Sequence, residues 1–337
     1  MTQSALAIGN ATRHDVSFSQ EVVDESLLYA GFFHLNALPF SLTPDPEYFF
    51  QHASAQDALN KLLFAVRSGE GFIKITGEVG VGKTLLCRTF LNMLEPYYVT
   101  AYIPNPYMEP MTLLYAIADE LGIQYQHNSN QYELLKQLTH FLINTYAETK
   151  KTVVVCLDEA HAMPLITMEV LRLLSNLETP KRKLLQLVLF AQPELDRKLE
   201  HSSVRQLRQR ISFSGVLATL NKAESEDYIT HRLNVAGHRG SRIFHPLAMR
   251  RLYLASHGVP RILNILAHKA MISAYADSSR SVLQKHVYEA IEDTDSLRVS
   301  QTKQNKSGFY RRYFFFLIAA SIATYIAAQI ANGFWWL

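Results

Sequence analysis

Two short stretches carry residue types and spacings that can do chemistry. The first, Gly77-Glu78-Val79-Gly80-Val81-Gly82-Lys83-Thr84, fits the pattern G-x-x-x-x-G-K-[ST] at every fixed position. Glycines at 77, 80 and 82 open backbone conformations in which successive N–H groups, those of Glu78, Val79 and Val81 among them, point at phosphate oxygens. Leu85 continues into a helix whose N-terminus adds partial positive charge. Lys83 would reach the β- and γ-phosphates, and Thr84 would hold Mg²⁺. The second stretch is Asp158-Glu159, which ends the apolar run Thr152–Leu157 about 75 residues after the loop. There Asp158 would order the Mg²⁺ shell, and Glu159 would polarise a water for attack on a γ-phosphate. Together they predict binding of ATP or ADP with Mg²⁺, and ATP hydrolysis.

The elements needed to position these groups are legible around them. Phe72–Thr76 predicts a strand leading into the loop and Leu85–Phe90 a helix leaving it. Ala55–Arg67 has helical spacing and stops at Ser68-Gly69. Tyr98–Ile103 reads as a second strand, and Pro110–Leu121 and Gln131–Tyr146 as helices. Thr152–Leu157 is apolar throughout, as a strand covered on both faces should be. Leu184–Ala191 is a fourth buried strand and Ile211–Leu217 a fifth, giving an α/β fold with a parallel five-stranded sheet. At the end of the fourth strand Gln192 is a candidate γ-phosphate sensor, or else a turn residue before a helix started by Pro193. A basic helix carries Arg205, Arg208 and Arg210. One of them, Arg210 first, could act as a finger on a neighbouring copy's γ-phosphate, with a solvated face as the alternative.

From Lys222 the pattern is wholly helical, with Ala223–Ala236, Pro246–Ser256, Val259–Ala276 and Gln284–Asp293 forming a lid. Gly258-Val259-Pro260-Arg261 sets Arg261 at a helix start, where its guanidinium could swing onto a nucleotide. The organisation expected is a flexible tail over 1–30, a nucleotide-binding core over 31–220, the helical lid over 221–294, a polar and basic linker over 295–312, and an apolar segment over 313–337. The aromatic stretch Phe32–Phe50 is expected to pack on the core, near a base or as plain packing. Tyr313–Leu337 has no charged side chain and is long enough for one membrane span, with Arg311 and Arg312 on its cytoplasmic side and Trp335 and Trp336 at the far interface.

Composition bounds the remaining classes. A net charge of +3 over 337 residues gives no footprint for a polyanion, so nucleic acid is not an expected partner. Two cysteines, Cys87 and Cys156, lack the spacing of a zinc or redox site and read as core residues. Met1–Gln20 has no apolar stretch of the kind a signal peptide needs.

As a set, the phosphate loop, Asp158-Glu159, Gln192-Pro193-Glu194-Leu195, Gly258-Val259-Pro260-Arg261 and the N-terminal Leu38-Pro39-Phe40 with Pro44-Asp45-Pro46 resemble the ExeA/GspA-type AAA+ ATPases over residues 30–295. The closest likeness is to the branch serving mannose-sensitive haemagglutinin (MSHA) type IV pilus biogenesis. The resemblance implies a homo-oligomer, dimer or ring, in the bacterial inner membrane, with the ATPase cytoplasmic and the C-terminus periplasmic. Its partners would be other inner-membrane pilus or secretion assembly proteins. Nucleotide roles would fall to Lys83, Thr84, Asp158, Glu159, Gln192 and Arg261. ExeA-like members carry a peptidoglycan-binding domain after the span; this sequence stops at Leu337, so direct cell-wall binding is not expected of it. The alternatives are a DNA-acting AAA+ ATPase of the transposition-helper kind and an ATP-binding scaffold with negligible turnover.

Overall fold

A computed structural model describes residues 25–294, apart from 95–96, 127–128 and 180–181. In chain order the elements are α1 (Glu25–Phe32), α2 (Ala53–Arg67), β1 (Phe72–Thr76), α3 (Lys83–Leu94), β2 (Val99–Ile103), α4 (Pro110–Glu120), α5 (Gln131–Thr149), β3 (Val153–Leu157), α6 (Leu165–Leu174), β4 (Leu185–Ala191), α7 (Glu194–Leu199), α8 (Arg205–Arg208), β5 (Phe213–Val216), α9 (Lys222–Val235), α10 (Pro246–Ser256), α11 (Pro260–Ala276) and α12 (Gln284–Glu292). A two-residue antiparallel pair, Glu178–Thr179 with Arg182–Lys183, precedes β4; no apolar alternation announced it.

The five strands form one parallel sheet in the order β2-β3-β4-β1-β5. Both faces are covered, which is why β3 and β4 are apolar at every position but Gln186. Side chains alternate between two cores with the period of the pleat. Val153, Val155, Leu157, Leu187 and Leu189 face α4, α5 and α6. Ile73, Ile75, Val154, Cys156, Val188 and Phe190 face α2 and α3. Cys87 and Cys156 are buried thiols in this second core, as their apolar surroundings predict. Because β1, β3 and β4 are neighbours and run in one direction, the segments that follow them emerge on one rim of the sheet. Open parallel sheets bind ligands at that rim.

The lid has its own core, built from α9–α12. Asn221 forms a reciprocal capping box with Glu224 at the start of α9, as Asn130 of the sheet domain does with Glu133 at α5. Glu224 also accepts from the Ala53 N–H, tying the lid to α2. A parallel bridge between Phe244 and Val282 interrupts the expected purely helical pattern.

Two expectations at the N-terminal end need correction. The tail assigned to 1–30 ends earlier, because Glu25–Phe32 is helical and Tyr29 and Ala30 are buried in the lid core. The aromatic stretch does not pack mainly on the sheet domain: Phe33, Leu35 and Phe40 enter the lid core, and Leu38 and Phe50 pack against it, leaving Phe49 for the α2–α3 side. Residues 1–24 of the tail, the expected 295–312 linker and the expected 313–337 span lie outside the described residues. Among the described residues no helix is long and apolar enough to cross a membrane.

Candidate active site

The phosphate loop joins β1 to α3 at the rim. Lys83 is only 5% exposed, and its Nζ donates to the carbonyls of Gly77 and Glu78, each at 2.9 Å. Burial pulls its pKa down, and Glu159, Asp158, Glu78 and Glu194 pull it back up. Among the described residues this ammonium hydrogen-bonds to two backbone acceptors, and phosphate oxygens at the loop would supply further countercharge.

Asp158, at the end of β3, is 2% exposed and accepts from Thr84 Oγ1 at 2.5 Å, from the Glu159 N–H at 2.9 Å and from Tyr102 Oη at 3.4 Å. Burial raises its pKa, with the Thr84 and Glu159 hydrogen bonds opposing the shift. A hydroxyl and a carboxylate at adjacent oxygens are hard donors of the kind Mg²⁺ takes. The residues thus fit that ion, which would also neutralise a buried carboxylate.

Glu159 sits in the left-handed region at φ 51, unusual for a residue with a side chain. The turn lifts its carboxylate off the line of β3 toward β4. There Gln192 Nε2 donates to Glu159 Oε2 at 3.3 Å. His161 Nδ1 lies 3.3 Å from the same oxygen and 3.4 Å from the Gln192 N–H. One ring nitrogen thus faces both a carboxylate and a backbone donor, and which of the two it binds depends on the ring tautomer.

The lid closes the other side. The Arg261 N–H donates to the Gly80 carbonyl at 3.1 Å, so α11 starts directly on the phosphate loop. The approach is tight: a Cβ at Gly80, whose φ is +79, would stand 2.8 Å from Arg261 Cβ. Between loop, lid and the 41–52 segment lies a cavity of about 270 Å³, lined by Lys83, Thr84, Glu159 and Arg261 and, away from the loop, by Tyr48 and Asn264.

Of the residues expected from sequence, Val79, Gly80, Val81, Gly82, Lys83, Thr84, Leu85, Glu159 and Arg261 line this cavity. Gly77 and Asp158 support it from beneath, and Gln192 reaches it through Glu159. Arg210 does not join them: it follows α8, is exposed, and donates from Nη1 to Ser175 Oγ at 2.7 Å, at the end of α6. Sequence reading missed His161, Tyr102 and Asn264. His161 follows Glu159 by two positions and Asn264 follows Arg261 by one helical turn, so both lay in reach of the motifs already marked.

Comparison with known proteins agrees with this architecture. Residues 66–199 match the family model described as an AAA domain. The chain is 36% identical over 278 residues to general secretion pathway protein A of Aeromonas hydrophila, an alignment covering 82% of this chain and 50% of that protein. The chain thus spans about half the length of the curated relative it matches. Among solved structures, the CDC6P protein of Pyrobaculum aerophilum superposes with a TM-score of 0.61 at 15% identity, covering 76% of this chain and 70% of that one. The ORC2 protein of Aeropyrum pernix, solved as ADPNP-ADP complexes, gives 0.57 at 21% identity, with 77% and 72% covered. At such identities the likeness to these structures is one of fold; the AAA-domain match and the 36% identity over 82% of the chain show that it belongs to the AAA ATPases related to general secretion pathway protein A.

Proposed function

We propose that this protein is a Mg²⁺-dependent ATPase whose nucleotide cycle drives assembly or export of a bacterial envelope machine. The observation that carries the reading is the convergence of Lys83, Thr84, Asp158, Glu159 and Arg261 on one cleft, with Gln192 hydrogen-bonded to Glu159. Glu159 would take a proton from a water as its oxygen attacks the γ-phosphorus and the bond to the β-phosphate oxygen breaks, leaving ADP and phosphate. Thr84 and Asp158 would hold Mg²⁺, which when bound there supplies positive charge against the phosphate oxygens. Lys83 and Arg261 would neutralise charge from opposite walls, and Gln192 would report the γ-phosphate to Glu159. Self-association into a dimer or ring would bring Arg210 to a neighbour's cleft.

The similarity to general secretion pathway protein A supports an envelope role, and the motif likeness to the MSHA branch favours type IV pilus biogenesis within it. Residues 313–337 would anchor the chain in the inner membrane with the ATPase in the cytoplasm, beside other inner-membrane pilus or secretion proteins. Lys83→Ala tests the site. Loss of one charge-assisted contact, about 1.5–3 kcal/mol, predicts nucleotide binding weakened by roughly 10- to 150-fold. Unchanged affinity would remove the loop from its role.

A further inference from the structure

On the lid wall of the cleft stands a cation with no carboxylate. Arg232 of α9 is 4% exposed, and among the described residues it forms no ion pair. Its Nε donates to the Pro39 carbonyl at 2.5 Å, its Nη2 to the Ser41 carbonyl at 3.1 Å and its Nη1 to Tyr228 Oη at 3.0 Å, and its guanidinium stacks 4.6 Å from the Tyr48 ring. Tyr228 Oη in turn lies 3.0 Å from Asn264 Oδ1.

The direction of this relay is fixed by chemistry. Arginine can only donate, so Tyr228 Oη accepts from it and passes its own hydrogen to Asn264. The Asn264 carbonyl is therefore consumed, and the amide N–H₂ is left over. Asn264 is 5% exposed, lines the cleft, and its Nδ2 has no hydrogen-bond partner among the described residues. A donor fixed by its own carbonyl's partner and open to the cleft is a candidate recognition group. It stands on α11 one turn beyond Arg261, away from the phosphate loop, and the walls there include the aromatic rings of Tyr48, Phe49 and Phe50. These suit a flat heterocycle rather than a phosphate.

We propose that Asn264, oriented by Tyr228 and Arg232, reads the base. Its amide donates to N1 and so selects adenine, where N1 is an acceptor, over hypoxanthine or guanine, whose N1 carries a hydrogen. This rests on the nucleotide reading of the cleft and adds its base selectivity. Because Arg232 is held by the carbonyls of Pro39 and Ser41, the N-terminal segment fixes the reader's orientation. That gives the aromatic stretch a role at the cleft although it packs on the lid.

The test is equilibrium binding of ADP, IDP and GDP to the full-length protein. Wild type is expected to favour ADP over IDP by about 10-fold or more, about 1.4 kcal/mol. Asn264→Asp replaces the donor by acceptors and should bring the ADP-to-IDP ratio to about 1 or below. Tyr228→Phe keeps the ring but frees the amide to turn over, and should lower the same ratio to within about 3-fold of unity. A ratio that stays at the wild-type value in Tyr228→Phe, or a wild type without preference, overturns the proposal. Should wild type bind ADP but not select it, base reading fails while the nucleotide site stands; should it bind none of the three, both fall.

Discussion

Gly258 is the joint on which Arg261 is hung, and replacing it by alanine should open the lid. Its φ is +73, and a Cβ built there would lie 1.9 Å from the Leu220 carbonyl oxygen and 2.9 Å from its carbonyl carbon. Both atoms are backbone, so no rotamer change relieves the clash. The left-handed conformation costs alanine about 1–2 kcal/mol. Forcing the two segments apart adds about 1–3 kcal/mol, and breaking the Leu220 N–H bond to the Gly258 carbonyl, 2.9 Å long, adds about 0.5–1.5 kcal/mol. The total, about 3–6 kcal/mol, should appear in the opening of α9–α12. Native-state hydrogen exchange reads it directly: lid amides should exchange about two to four orders of magnitude faster, up to the ceiling set by global unfolding. Gly122→Ala is the comparator. Gly122 also has positive φ, +69, but nothing within 4 Å of a Cβ, so only the conformational cost applies. A Gly258→Ala lid protected to within 10-fold of wild type, or no worse than Gly122→Ala, would refute the packing argument.

Two further outcomes follow from the site. The pKa of Asp158 is raised by burial, so the native state holds more protons than the unfolded chain between the unfolded value and the native one, and stability falls as pH rises through that window. Asp158→Asn should therefore melt higher than wild type at pH 7 without nucleotide, with the advantage shrinking toward the acid end; an advantage that grows on acidification would contradict the sign. His161→Ala removes a ring nitrogen that can bind either Glu159 or the Gln192 N–H, worth about 1–2 kcal/mol, so turnover should drop by roughly 5- to 30-fold while ADP affinity holds. A fall in affinity with turnover per bound nucleotide intact would show that His161 acts on binding instead.

The parts visible in the sequence are those in which one local requirement dictates residue type. Phosphate binding demands glycines at set positions before Lys83, and a strand covered on both faces demands the unbroken apolar run before Asp158. Arg261 could be marked because Pro260 announces a helix start. The hidden parts are contacts between distant segments. Nothing periodic in Phe32–Phe50 tells whether those rings meet the sheet or the lid, and the Gln192, His161 and Glu159 cluster forms only because β3 and β4 are neighbours. The relay from Arg232 to Asn264 crosses from one lid helix to another, and its Tyr228 looks like any core aromatic. The basic run at Arg205–Arg210 was readable as charge, yet nothing local in it announced that Arg210 would donate to Ser175 Oγ at the end of α6.

The central claim is that Glu159 activates water at a nucleotide held by Lys83. Single-turnover hydrolysis of labelled ATP by the full-length protein, with nucleotide affinity measured alongside, tests it most directly. Glu159→Gln should bind ATP within a few-fold of wild type and hydrolyse it about 10²–10⁴ times more slowly. Hydrolysis by Glu159→Gln at the wild-type rate, or a wild type that turns over no ATP in the presence of Mg²⁺, would contradict the account.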